Sequence, residues 1–385
     1  MGLIAVEVAL RLADVSYPVF TAYDPIAGWK RAPGMRGRYR EEGDAFVQIN
    51  ASGYRDEEHA LEKPPGVLRI AVLGDSFTEA LQIDLADTFW KRLESELGGC
   101  PALGGRRVEA LSFGVSGYGS AQELLALQHD ALRFRPDLVL LAFFAGNDLV
   151  DNSAALDLPT HSWLELERGA RPYFALRGDD LVVDESFRSL SVRHLLYRGM
   201  LALAHHSRTL ELASQRRRDA RIRRGKQDAS PPPAEPNVWD RVFLPPEGPA
   251  WTDAWRVTEA LIGRMQAESH AAGAGFALVT LTVPVQVDPD PSQIRTTEAR
   301  LRVEDLFYPE RRLRTLGERS RFPVITLAER FQARAAEQHV FFHGFEQAVL
   351  GSGHWNAEGH RYAAELIAGD LCGSGALLTA RAAVE

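Results

Sequence analysis

The stretch Leu68-Arg69-Ile70-Ala71-Val72-Leu73-Gly74-Asp75-Ser76-Phe77-Thr78-Glu79 decides the reading of this chain. Its apolar, β-branched first half reads as a buried strand, and the glycine that ends the strand delivers an acid, a hydroxyl and a second acid in quick succession. The same layout recurs downstream. Val108 to Phe113 is a second strand, followed by Gly114-Val115-Ser116-Gly117-Tyr118-Gly119; Leu138 to Phe144 is a third, followed by Ala145-Gly146-Asn147-Asp148. Between the strands lie helical stretches. One, capped at Asp87 and ended by Gly98-Gly99, carries Phe89, Trp90, Leu93 and Leu97 on one face; the other opens with a capping box at Ser120-Ala121-Gln122-Glu123 and carries Leu124, Leu125, Leu127 and Leu132. Strands alternating with amphipathic helices are the pattern of parallel βαβ units.

After the third strand the alternation stops. Tyr173 to Leu176 and Leu181 to Val183, joined through Gly178-Asp179-Asp180, predict a hairpin, and Val192, Leu195, Leu196, Met200 and Leu203 form a helical stripe. A basic run follows, with Arg216, Arg217, Arg218, Arg221, Arg223, Arg224 and Lys226 leading into Ser230-Pro231-Pro232-Pro233. Such a run predicts a solvated, poorly ordered segment, with an anionic partner or lipid headgroup surface as the alternative. The β/α pattern resumes with a helix capped near Thr252 or Asp253, strands over Phe276 to Thr282 and Pro323 to Leu327, and a helix from Asn356 through Ile367. The division expected is an N-terminal arm over 1–66, a five-stranded α/β core over 67–152 and 274–373, and an insertion over 153–273 between the third and fourth core strands.

The chain has 385 residues, 45% of them apolar, and a formal net charge of −8. That length holds a full core without staples, which excludes a small disulfide scaffold. The acidic balance excludes the electrostatic footprint of a nucleic-acid binder. Cys100 and Cys372 show no ligand or redox spacing and read as small buried hydrophobes or idle thiols, silent about compartment. The longest apolar runs, such as Leu138 to Ala145, fall well short of the about 20 residues that span a bilayer. Met1-Gly2-Leu3-Ile4-Ala5-Val6, then Glu7 and a further apolar stretch to Arg11, fit either an amphipathic helix or the tail of a membrane anchor beginning upstream. Peripheral membrane association through the N-terminus, and an extracytoplasmic or membrane-associated location, are the expectations.

Open parallel sheets carry their reactive groups in the loops after the C-terminal ends of the strands. Those loops hold Ser76, Gly117 and Asn147, and Gly353-His354-Trp355-Asn356-Ala357-Glu358-Gly359-His360 joins them from before the last helix. Serine is a weak nucleophile until an imidazole accepts its proton, and the oxyanion it creates needs preorganised donors. His354 is the candidate base. The donors are the backbone amides of Ser76 and Gly117 and the side-chain amide of Asn147, with glycine at 117 leaving room for substrate. Asp75 is expected to order the nucleophile turn, and Thr78 and Glu79 to give hydrogen-bonded support. His343, His354 and His360 match no zinc spacing, so neither metal nor cofactor is expected.

These blocks resemble those of the SGNH (GDSL-type) hydrolases. Gly74-Asp75-Ser76 is similar to the first block, Gly117 to the second, Gly146-Asn147-Asp148 to the third, with its glycine directly before the asparagine, and His354-Trp355-Asn356 with Gly359-His360 to the fifth. The resemblance implies a flavodoxin-like three-layer sandwich around a five-stranded parallel sheet. It also implies hydrolysis of acyl or acetyl esters, small-molecule or carbohydrate, by Ser76 and His354 through an acyl-enzyme, with Gly117 and Asn147 in the oxyanion hole. An O-acyltransferase acting on a polysaccharide would use the same machinery, and a noncatalytic binding protein on this fold is the reading from a different class. The arm, with Asp24-Pro25, Gly28-Trp29 and Ile49-Asn50-Ala51-Ser52-Gly53-Tyr54-Arg55, is similar to bacterial members that modify envelope polysaccharides. One position departs: the family carries Asp three residues before the histidine, and here Gly351 stands there. A backbone carbonyl near Gly351 is the favoured substitute partner for the imidazole, with a carboxylate such as Glu346 as the alternative.

Overall fold

A computed structural model of the chain describes residues 2–13, 15–160, 171–178, 180–184, 186, 192–227 and 236–373. The arm comprises helix α1 (Gly2–Leu12) and two antiparallel hairpins, β1 (Thr21–Asp24) with β2 (Gly28–Arg31) and β3 (Arg36–Tyr39) with β4 (Ala45–Gln48). The first half of the core follows as β5 (Val67–Gly74), α2 (Ser76–Glu79), α3 (Phe89–Glu96), β6 (Arg107–Gly114), α4 (Ser120–His129) and β7 (Leu138–Phe143). The short α5 (Asp148–Asp151) and α6 (Ala154–Asp157) lead to the hairpin β8 (Tyr173–Arg177) and β9 (Asp180–Asp184), then α7 (Val192–His206) and α8 (Arg208–Gln227). The chain returns through α9 (Gly248–Ala271), β10 (Gly275–Thr280), α10 (Pro291–Leu301), α11 (Tyr308–Ser320), β11 (Val324–Thr326), α12 (Ala328–Gln338) and α13 (Ala357–Gly373).

The central sheet runs β11-β10-β7-β5-β6 with every pairing parallel. Every residue of β5, β7 and β10 is buried, which is why these strands read as unbroken apolar runs: helices cover both sides. Alternate residues of β5 serve opposite layers. Leu68, Ile70 and Val72 join one core with Trp90 of α3, Phe331 of α12 and Ile367 of α13; Ala71 and Leu73 join the other with Leu124 of α4, Trp255 of α9 and Leu313 of α11. This is the expected three-layer sandwich. Strand order reverses between β5 and β7, and such a switch point gathers the loops after the strand ends into one crevice.

The arm is fastened to this body through buried polar groups. The Arg55 guanidinium donates to the backbone carbonyls of Glu79, Ala80 and Ile83, Asp56 accepts from the Ser112 amide at 2.9 Å, and the Tyr54 hydroxyl donates to Asp130 at 2.7 Å.

Several expectations change. The two cysteines are not idle: Cys100 and Cys372 form a disulfide across 272 residues of sequence, tying the segment after α3 to the end of α13. The basic run is helical as far as Gln227, because its residues are good helix formers unbroken by glycine or proline until Gly225; Ser230 to Pro233 lie outside the described residues. Thr88, not Asp87, caps α3, while Asp87 takes Arg92 instead. No side chain caps α4, since Gly119 holds its N-cap and both Ser120 and Glu123 are buried beneath it. Helix α9 begins at Gly248, ahead of Thr252, with Pro249 in its first turn, a position where the missing amide costs nothing. Among the described residues no helix is long and apolar enough to cross a membrane.

Candidate active site

Strand β5 stays buried to its last residue and then turns sharply. Asp75 caps the turn, its Oδ1 accepting the Phe77 amide at 2.9 Å, so Ser76 stands at the head of α2. Asp75 thus orders the turn that carries Ser76, as expected. The Ser76 Oγ lies 2.7 Å from Nε2 of His354, and Nδ1 of the same ring lies 2.8 Å from Oε2 of Glu42. That carboxylate oxygen also accepts the backbone amide of His354 at 3.2 Å. With Nδ1–H donated to Glu42, the assigned tautomer leaves the Nε2 lone pair facing the serine hydroxyl, the arrangement that accepts its proton.

Glu42 was not anticipated. It sits in the β3–β4 turn of the arm, 312 residues from its partner in sequence. The turn comes close enough only because of its next residue: a Cβ on Gly43 would fall 1.9 Å from the Gln82 carbonyl oxygen. Both substitutes for the missing aspartate are therefore corrected. The carbonyl of Gly353 is occupied by the other histidine of this region, accepting from Nδ1 of His343 at 2.8 Å, and Glu346 is exposed.

His343 is a structural group. Its Nε2 faces the Thr282 hydroxyl at 2.8 Å, which in turn accepts from Trp355 Nε1 at 2.8 Å, and burial pushes its pKa down to about 3. The neutral ring fixes the Gly353–His354 peptide from behind. His360 is likewise buried and held well below the ordinary histidine range by burial, its Nδ1 accepting the Phe89 amide at the start of α3. Among the described residues no group of His, Cys, Asp or Glu is arranged to hold a metal.

His354 itself behaves oppositely. Burial disfavours its charged form, but the hydrogen bond and charge of Glu42 outweigh that, and its pKa rises above the ordinary value. The reciprocal effect holds for Glu42, where desolvation is overcome by His354 and the carboxyl stays low. Burial pushes Asp75 up to about 6, and the fully buried Glu123 and Asp148 behind it are raised well above the carboxylate range by the same cause.

The two expected oxyanion groups flank the serine turn. Asn147 Nδ2 donates to Oδ2 of Asp75 at 3.2 Å, which leaves its second N–H unspent on that carboxylate. Gly117 adopts φ +80°, and the loop before it is held by Glu79, which accepts the Ser116 amide at 2.8 Å and its hydroxyl. Glu79 is itself clamped by Arg31 of the arm through two hydrogen bonds, and Trp29 Nε1 donates to the Ser116 carbonyl at 3.2 Å. Glu79 thus gives the support expected of it, with a partner, Arg31, that sequence reading missed. The Thr78 carbonyl accepts from Trp90 Nε1 at 2.8 Å.

No protein-family model and no curated protein matches the chain. Among solved structures it is similar to an acetyl xylan esterase at 12% identity, covering 78% of this chain and 98% of that one with a TM-score of 0.38. It is similar to a lipase from a goat rumen metagenome at 15% identity, covering 80% and 99% with a TM-score of 0.41. A putative acylhydrolase from Bacteroides fragilis matches at 12% identity over 80% and 88%, with a TM-score of 0.33.

Proposed function

We propose that the chain is a serine hydrolase of the SGNH type acting on ester bonds, with Ser76 as nucleophile, His354 as general base and Glu42 as the acid of the triad. The observation that carries this reading is the single imidazole bridging Ser76 at 2.7 Å and Glu42 at 2.8 Å. In the reaction, Ser76 Oγ attacks the ester carbonyl carbon as Nε2 takes its proton, and Glu42 stabilises the imidazolium that forms. The oxyanion is received by the amides of Ser76 and Gly117 and the free N–H of Asn147. Collapse of the tetrahedral intermediate expels the alcohol, which takes the proton from His354; water, activated by the same base, then releases the acyl group from Ser76. No cofactor enters any step.

A noncatalytic binding protein would be favoured by an imidazole left without a carboxylate partner, and Glu42 at 2.8 Å from Nδ1 of His354 speaks for the catalytic reading instead. The Cys100–Cys372 disulfide supports a location outside the cytoplasm, since such bonds persist in oxidising compartments. The test is labelling with a fluorophosphonate probe together with turnover of acetyl to long-chain nitrophenyl esters. Wild type should label and turn over, Ser76→Ala should do neither, and undiminished turnover in Ser76→Ala would overturn the assignment.

A further inference from the structure

Apart from the catalytic crevice, the most unusual surface lies where α1 meets the insertion. The two parts are joined by specific bonds: Glu7 accepts from the amides of Arg208 and Thr209 at 3.1 and 2.9 Å, capping α8, and Arg11 donates to the His206 carbonyl at 2.8 Å. Hydrogen bonds from Thr209 hold the Glu7 carboxyl down at about 2. Helix α7 packs one side, Tyr197 and Leu201, against Val19 and Tyr23 of the arm. Its other side leaves Leu196 61%, Met200 52% and Leu203 66% exposed, and α1 leaves Ile4, Val8 and Leu12 exposed, the last at 84%. Isolated exposed apolar residues are ordinary, but two apolar helix faces beside one junction mark a surface that is covered in use.

The charge around these faces identifies what covers them. Helix α7 contains no acidic residue, and α8 contains eight basic residues and two acidic ones, in a chain whose net charge is −8. At the junction a cleft of about 600 Å³ is lined by Arg36, Arg38, Arg40 and Arg208 together with Tyr17 and Phe46. Arg36, Arg38 and Arg40 alternate along β3 and its extension, so the pleat puts them on one face, all exposed. Arg38 and Arg40 share Asp44 and Arg208 pairs with Glu211, so these four arginines meet two carboxylates and keep a net positive charge. Exposed aliphatic side chains next to an arginine-lined cleft match an interface in which acyl chains lie beside phosphates.

We propose that α1, α7, α8 and this cleft form a docking surface for an anionic phospholipid bilayer, the exposed aliphatic residues entering the interface and the arginines taking lipid phosphates. The proposal stands independently of the esterase reading. Because Arg40 lies two residues before Glu42, docking would hold the catalytic crevice close to the bilayer.

The test is co-sedimentation of the full chain with vesicles of phosphatidylglycerol and phosphatidylcholine in equal parts, against vesicles of phosphatidylcholine alone. Binding is expected to the first and to be weak for the second, and to fall as salt is raised. The combined variant Leu196→Gln, Met200→Gln, Leu203→Gln and, separately, Arg36→Gln, Arg216→Gln, Arg217→Gln should each bind roughly tenfold more weakly or less. Circular dichroism, thermal melting and nitrophenyl ester turnover should match wild type in both, since none of these residues touches the triad. Absence of wild-type binding, equal binding to the neutral vesicles, or unchanged binding by both variants would overturn the proposal. So would a wild-type dimer, seen by sedimentation, that ignores vesicles and dissociates in the leucine variant, because the face would then belong to a second copy of the chain.

Discussion

Glu42 acts on substrate only through His354, so its loss should appear in a pH profile as well as in a rate. The imidazole must be neutral to take the serine proton. In wild type Glu42 holds the His354 pKa above its ordinary value, so the acid limb of kcat/KM should lie above the unperturbed histidine range. Removing the negative charge in Glu42→Gln destabilises the imidazolium, so this limb should move to lower pH while the plateau falls by about 10³–10⁴. An unmoved limb would mean that Glu42 is only a structural neighbour. Glu346→Gln should change neither quantity. Asn147→Ala should lower kcat by roughly 10²–10³ with little effect on KM, as for a donor used chiefly in the transition state. Restoring the aspartate three residues before the histidine should not help: Gly351 holds φ +75°, and a Cβ there would lie 3.0 Å from Phe341. Gly351→Asp is expected to lower the melting temperature and leave turnover no higher than in wild type.

The arm is the element whose importance a sequence reading least reveals. It supplies Glu42 to His354, Arg31 to Glu79 and Trp29 to the loop carrying Gly117, all through side chains that converge from two short hairpins. The Arg31–Glu79 pair is buried on both sides, and breaking it leaves a carboxylate without its countercharge. Arg31→Met should therefore cost about 3–5 kcal/mol in urea unfolding. At temperatures where the variant remains folded, kcat should fall more than KM rises, because Glu79, which holds Ser116 and the loop to Gly117, loses the arginine that fixes it; a change confined to stability would separate the arm from catalysis. The core strands were legible because burial on both faces writes itself as unbroken apolar runs, and Ser76, Gly117, Asn147 and His354 stood out as candidates because the first three follow strands and the last precedes the final helix. Glu42 follows no such rule. It lies in a polar turn, and its partner is fixed by the packing of Gly43 against Gln82, a close approach that spacing does not encode. The only signal was a glycine directly after two adjacent acids, Glu41-Glu42-Gly43, in a segment otherwise rich in arginine.

At the scale of the whole molecule, the two halves of the core are separated by the insertion and held together by the sheet, by α3 packing on α13, and by one covalent bond. The Cys100–Cys372 disulfide spans 272 residues and anchors the far end of α13, while the near end is fixed by Asn356, which lies two residues after His354 and accepts the Gly359 amide at 3.0 Å. Closing so long a loop removes much of the freedom of the unfolded chain, an effect of about 2–5 kcal/mol for native disulfides. Cys372→Ser should accordingly lose about that much unfolding free energy in urea, and wild type treated with reductant should match it. The cost should stay at the stability scale: the bond lies at the end of α13 opposite His354, and the Ser76–His354–Glu42 bonds do not depend on it. Ester turnover at room temperature should therefore be preserved in the variant, while the half-life of activity on warming shortens. If reduction instead abolished turnover before any loss of helical signal, the disulfide would be positioning the histidine loop, and α13 would be transmitting its state to the site.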